Sequence, residues 1–132
     1  MSVNNWRFHH IGIATNQHDV LVKRLRNLGF GEDLDFEDPL QGVGGTFLSG
    51  GEMRVEILEP LDNSDTLSPW LANGNRCYQV AFEVPDLDEA LTFCGVQGAR
   101  VVRSPLPSAA FDGRRIAFVM PFPGFLIELI ES

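Results

Sequence analysis

The chain is short of three things, and each shortage removes a class of protein. Its 132 residues include only two cysteines, Cys77 and Cys94, and these lack the CxxC spacing of a redox or zinc motif, so no disulfide framework or cysteine metal site is expected. Both sit in apolar runs, which predicts reduced, buried thiols and a cytoplasmic protein. No uninterrupted apolar stretch approaches the ~20 residues of a bilayer span, and Met1 to Arg7 carries no apolar signal segment; a soluble protein without a membrane partner is expected. Basic residues are outnumbered, ten Lys and Arg against eighteen Asp and Glu, for a net charge of -8. The arginines are scattered rather than gathered into a stripe, and such a chain repels a phosphate backbone, which argues against nucleic acid as a partner.

What the chain does have is a repeat. His10-Ile11-Gly12-Ile13-Ala14 returns as Gln79-Val80-Ala81-Phe82-Glu83, and Val55-Glu56-Ile57-Leu58-Glu59 returns as Ile127-Glu128-Leu129-Ile130-Glu131. Leu28-Gly29-Phe30 is echoed more loosely by Gln97-Gly98-Ala99. The spacing of roughly 70 residues is too long for a solenoid and suits two copies of one supersecondary unit.

The elements follow from periodicity and punctuation. Phe8 to Thr15 reads as a strand, and Asn16 to Leu28 as a helix with Leu21, Leu25 and Leu28 on one face and Gly29 as its stop. Gly31 to Phe36, Val43 to Ser49 and Glu52 to Glu59 read as strands, the last two joined through Gly50-Gly51. A polar connector with a turn of helix near Leu67 to Leu71 leads to a second set. There Tyr78 to Val84 is a strand, Asp86 caps a helix that ends before Gly98, and Ala99 to Arg103, Arg114 to Met120 and Phe125 to Glu131 are strands. The prediction is one α+β domain of two tandem βαβββ modules, about 7–59 and 76–131 around a connector at 60–75.

Strand parity then selects the functional candidates. In each opening strand one polar residue, His10 or Gln79, points away from the apolar side chains on either side of it, and in each closing strand Glu56 or Glu128 does the same. If the two curled sheets are equivalent, these four line one concave surface. Two carboxylates there would repel without a cation, and a divalent metal resolves the conflict.

The segments His10-Ile-Gly-Ile-Ala, Glu56-Ile-Leu-Glu-Pro-Leu, Tyr78-Gln79-Val-Ala-Phe-Glu-Val with Asp86-Leu-Asp, and Leu126-Ile-Glu128-Leu together resemble the vicinal oxygen chelate superfamily of glyoxalases, bleomycin-resistance proteins and dioxygenases. Asp38-Pro39, Gln41-Gly42-Val43 and Glu59-Pro60-Leu61 look most like the methylmalonyl-CoA epimerase branch. The resemblance implies a glyoxalase-like fold of paired modules forming a curled mixed-sheet cup, frequent homodimerisation, a small-molecule substrate, and a metal held by His10, Glu56, Glu128 and the residue at position 79. Two departures stand beside it. Gln79 occupies the place of a second metal histidine, so the site has one nitrogen and three oxygen donors, a set that favours manganese, cobalt or magnesium over zinc or nickel. Gly45 stands where the epimerase pattern carries a catalytic glutamate. The implied activity is a metal-assisted lyase or isomerase working through an enolate or enediolate, with Glu128 moving the proton; a binding protein of the bleomycin-resistance type is the alternative. An iron dioxygenase is disfavoured by the single histidine. His9 and His18 are expected at the surface, Glu59 and Glu131 at exposed strand ends, and Arg114 and Arg115 on opposite strand faces, where a surface role for both is favoured over one guanidinium clamping an anion in the cup; Trp70 and Phe111 lie in connectors that could lid the cup, with a structural anchor the commoner use of such an aromatic.

Overall fold

The computed structural model describes residues 3–72, 74 and 76–132, so Asn73 and Asn75 of the connector lie outside the described residues. Among the described residues, eight strands and three α-helices follow in the order β1 (Arg7–Ala14), α1 (His18–Asn27), β2 (Gly31–Asp38), β3 (Val43–Gly50), β4 (Met53–Pro60), α2 (Ser68–Leu71), β5 (Arg76–Val84), α3 (Leu87–Val96), β6 (Arg100–Pro107), β7 (Arg115–Phe122) and β8 (Phe125–Glu131). The expected βαβββ order thus occurs twice, and the turn foreseen near Leu67 to Leu71 is α2. No helix among the described residues is long and apolar enough to cross a membrane. The chain divides into two compact units, residues 10–78 and residues 1–9 with 79–132.

In the unit of residues 10–78 the strand order is β2-β3-β4-β1, with β1 parallel to β4 and β3 antiparallel to both β2 and β4. The turn between β3 and β4 runs through Gly51 at a φ of 59°, a left-handed conformation that a glycine adopts without steric cost. A helix of ten residues is marginal alone in water, so α1 exists because of what it covers. Val22 is buried on Leu48, Val55 and Ile57, with Ile13, Leu21, Leu25 and Phe30 packed around them; burying Val22 alone stabilises the unit by roughly 1.5–3 kcal/mol. Leu28, assigned to that face by its spacing, is instead exposed, because it falls just past the last helical turn.

In the other unit the order is β5-β8-β7-β6, again with the opening and closing strands parallel. Helix α3 lays Leu87, Ala90 and Cys94 on Val84, Ala117, Val119 and Leu129, with Trp6, Leu91, Ala99 and Ile127 at the margin. Its start is set as the sequence suggested: the Asp86 carboxylate accepts a hydrogen bond from the Glu89 amide at 3.0 Å. Both cysteines are free. Cys94 is buried beneath α3, and burial pushes its thiol pKa up. Cys77 is exposed rather than buried, since β5 is uncovered over its first two residues.

Candidate metal centre

Parity and register build the same pair of polar side chains in each unit. In β1 and β4, Ile11 lies opposite Val55 and Ile13 opposite Ile57, on the face that α1 covers; Gly12 lies opposite Glu56 on the other face. Residues opposite one another in a ladder share a face, and so do residues two apart in a strand, which puts His10 beside Glu56. Gly12 offers no side chain in between, and the His10 Nε2 and Glu56 Oε1 atoms stand 3.2 Å apart. Phe47, opposite Glu56 in β3, meets the His10 ring edge to face at 5.1 Å.

The unit of β5 and β8 repeats the design. Ala81 lies opposite Glu128, Gln79 is two residues earlier on the same face, and the Gln79 amide nitrogen donates to Glu128 Oε1 at 3.2 Å. With its nitrogen given to Glu128, the Gln79 amide keeps its oxygen as the end able to ligate. All four side chains avoid the helix-packed faces as expected, but they are buried rather than solvated: 0% exposed for His10, 4% for Glu56 and 3% for both Gln79 and Glu128. A buried carboxylate is costly unless it is paired or bound to a cation.

The His10–Glu56 pair has donors suited to a divalent ion. Two atoms each about 2.1 Å from one cation, at the right angles of an octahedral site or the wider angles of a tetrahedral one, stand about 3.0–3.4 Å apart. The His10–Glu56 separation falls in that interval, so this pair has the spacing of one edge of a coordination shell.

Gly45, on the same face as Glu56 and Phe47, is not an empty place. A Cβ built there would lie 2.8 Å from Phe36 Cζ, 2.9 Å from the Ile57 carbonyl oxygen and 2.9 Å from Leu58 Cδ2. The space is filled by its neighbours in β2 and β4.

Other candidates are placed elsewhere. Arg114 donates to Glu83 at 2.8 Å and lies over the Phe111 ring at 5.6 Å. Arg115 forks onto both oxygens of Glu131 at 3.0 and 2.7 Å and reaches Asp88 at 3.3 Å. Both guanidiniums are thus committed to ion pairs. The Arg114 hydrogen bond holds the Glu83 carboxyl below its ordinary pKa, and the Arg115 fork does the same for Glu131. Phe111 is buried and receives His9 edge-on at 5.3 Å, while Trp70 packs on Tyr78 at 5.3 Å with Arg76 above it; both aromatics anchor their segments.

His18 departs most from expectation. Its ring is half-buried, with Nδ1 at 2.8 Å from Asp19 and 3.2 Å from Glu59, and Nε2 at 2.7 Å from the Thr46 hydroxyl, which donates to Asp35 at 2.6 Å. This network ties the start of α1 to β2, β3 and β4.

Residues 9–118 match the Glyoxalase/Bleomycin resistance protein/Dioxygenase superfamily, and the chain belongs to that superfamily, with its α+β glyoxalase-like fold. Among solved structures it is similar to methylmalonyl-CoA epimerase from Mycobacterium tuberculosis, at 28% identity and a TM-score of 0.83 over 96% of this chain and 87% of that one. It is similar also to Streptomyces coelicolor methylmalonyl-CoA epimerase in complex with 2-nitronate-propionyl-CoA, at 31% identity and a TM-score of 0.81 over 96% of each chain. A hypothetical protein from Bacillus halodurans C-125 shares 29% identity at a TM-score of 0.83, over 98% of this chain and 96% of that one. No curated protein matches the chain. The superfamily and the branch that the strand motifs resemble are the ones that these comparisons find.

Proposed function

We propose that this chain is a metal-assisted enzyme of the isomerase or lyase type that moves a proton next to the carbonyl of a small acyl substrate, with His10, Glu56, Gln79 and Glu128 holding one divalent cation. The observation that carries the reading is the same buried polar pair built twice from parallel opening and closing strands. When bound, the cation supplies Lewis-acid polarisation of the substrate carbonyl and lowers the energy of its enolate. The protein's own residues do the rest. Glu128 takes the α-proton on a carboxylate oxygen, the C–H electron pair passing into the enolate, and Gln79 holds that carboxylate in place through its amide nitrogen. Phe47 fixes the plane of the His10 ring. One imidazole and three oxygen donors favour manganese, cobalt or magnesium over zinc or nickel. The chain's resemblance to epimerases supports an acyl thioester as the substrate.

Thermal unfolding tests the metal reading without relying on turnover. A ligand bound only by the native state stabilises it by about 2.7 kcal/mol at a hundredfold excess over Kd, so manganese or cobalt should raise the Tm of the wild-type chain and fail to do so for Glu56→Gln or Glu128→Gln. No shift with any divalent ion would sink it. A binder of the bleomycin-resistance type would show ligand stabilisation and no metal-dependent proton exchange with any acyl thioester. The same reading includes a homodimer, supported by superfamily membership, and a cytoplasmic setting, supported by the two free cysteines. Sedimentation equilibrium should return twice the 14.6 kDa chain mass; the monomer mass at micromolar concentration would remove the dimer.

A further inference from the structure

In each unit one row of side chains crosses the sheet on the face of the polar pair, and the two rows differ at one end. In the unit of residues 10–78 the row is Leu34 on β2, Phe47 on β3, Glu56 on β4 and Gly12 on β1. In the unit of residues 1–9 and 79–132 it is Arg103 on β6, Phe118 on β7, Glu128 on β8 and Ala81 on β5. Three places keep their chemistry: an aromatic ring, a carboxylate and a small residue. The outermost place changes from leucine to arginine.

A bulge sets that outermost residue in both rows. The β6–β7 register shifts between Val101, opposite Val119, and Arg103, opposite Phe118, so Val102 is the extra residue. With regular pairing Val102 would lie opposite Phe118, and Arg103 would fall on the face that α3 covers. Re-aiming a side chain is what bulges beside binding sites do. The β2–β3 pair shifts at the matching place, between Glu32 and Leu34, and there the residue brought onto the face is apolar.

Arg103 is set apart from the other arginines of its unit by having no internal task. Arg7 and Arg114 share Glu83, Arg115 holds Glu131 and Asp88, and exposed Arg100 reaches the Met120 sulfur at 3.9 Å. Arg103 is half-buried, and among the described residues no hydrogen bond, ion pair or ring contact engages its guanidinium. A planar fork of donors partly withdrawn from water, with no acceptor of its own, matches a carboxylate from a ligand.

Resting on the function proposed above, we infer that Arg103 is a specificity-determining residue that binds a carboxylate at the far end of the substrate's acyl chain. The backbones of β6 and β8 are two strand spacings apart, about 10 Å. The arginine side chain covers one of these spacings, and the acyl chain covers the other, about 5 Å, lying over Phe118 with its carbonyl toward Glu128. The substrates that fit are thioesters of dicarboxylic acids of succinyl to glutaryl length. A neutral acyl chain of the same length leaves the guanidinium without an acceptor and binds less tightly.

The test measures binding of glutaryl-CoA and pentanoyl-CoA to the full chain by calorimetry in manganese-containing buffer. The two probes share their carrier and differ in the terminal carboxylate. A hydrogen bond to a charged group is worth about 1.5–3 kcal/mol, so wild type should prefer glutaryl-CoA by at least about tenfold. Arg103→Met should erase that preference by weakening glutaryl-CoA and leaving pentanoyl-CoA unchanged. Equal weakening of both would place Arg103 on the carrier's phosphates and overturn the inference, as would a wild type that does not discriminate; the proposed function would stand in either case. Failure of both probes to bind would overturn the thioester reading of the site, and the inference with it. Arg103→Met should also keep the wild-type Tm, because the substitution strips no partner inside the fold. A clear fall in Tm would make the arginine structural and remove the inference.

Discussion

Each buried carboxylate has a small residue opposite it on the opening strand, Gly12 opposite Glu56 and Ala81 opposite Glu128, and a phenylalanine opposite it on the other side, Phe47 and Phe118, so the side with room to lean is the one toward His10 or Gln79. Bulkier side chains at 12 or 81 would push the carboxylates off their neighbours. Glu83, one of the echoes of the repeat, is used differently. Arg114 bonds it at 2.8 Å with Arg7 at 3.4 Å on its other oxygen, and the Arg114 bond lowers its pKa. A carboxyl depressed in the native state adds stability that is complete above its unfolded value, about 4.3 for a glutamate, and is lost as pH falls through the lowered native value. Glu83→Gln should therefore melt earlier than wild type at neutral pH, by no more than about 1 kcal/mol for a partly exposed pair, and the gap should close on acidification below about pH 4. A gap that persists at pH 2 would show a packing effect instead. The polar pairs were legible in the sequence because strand parity is a local property: reading alternate residues around His10 and Glu128 is enough. His18 was not, since its hydroxyl partner Thr46 is 28 residues away and nothing local distinguishes it from a surface histidine at a helix start.

The two longer helices show how far punctuation alone carries an element. Helix α3 has a side-chain cap, Asp86, whose carboxylate occupies one of the amides that a helix start leaves open. Helix α1 has none: Gln17 makes no capping bond, and the chain relies on the Thr15 hydroxyl accepting from the Gln17 amide at 2.8 Å and on the His18 network. Replacing Asp86 by Ala should cost about 0.5–2 kcal/mol in urea unfolding with an unchanged m-value, and a loss below about 0.3 kcal/mol would mean that water replaces the cap. The βαβββ order was readable because each strand boundary carries its own signal, as Gly50-Gly51 and Pro123-Gly124 do. The contact between Phe36 and Gly45 was not, because it depends on the β2–β3 register, and that register shifts between Glu32 and Leu34. A bulge of this kind changes which residues face one another, and no alternation pattern announces it.

For the molecule as a whole the governing quantity is charge. A net charge of -8 creates a negative potential that draws cations toward buried carboxylates and slows the approach of anions, and salt screens both effects. Glu56 and Glu128 are buried, so their direct interaction with a bound ion is screened little, whereas the exposed acids, Glu37 and Glu52 among them, act through solvent. The screening length shortens from about 30 Å at 0.01 M salt to about 10 Å at 0.1 M, which is enough to silence distant surface charges while leaving the site intact. Manganese affinity measured by calorimetry should therefore fall as potassium chloride rises over that range, and the fall should be smaller in a Glu37→Gln/Glu52→Gln variant whose site is untouched. Metal binding that is indifferent to salt in both proteins would mean that the four proposed ligands alone set the affinity. Binding abolished by the surface substitutions would place the ion outside the buried pairs and overturn the assignment of His10, Glu56, Gln79 and Glu128.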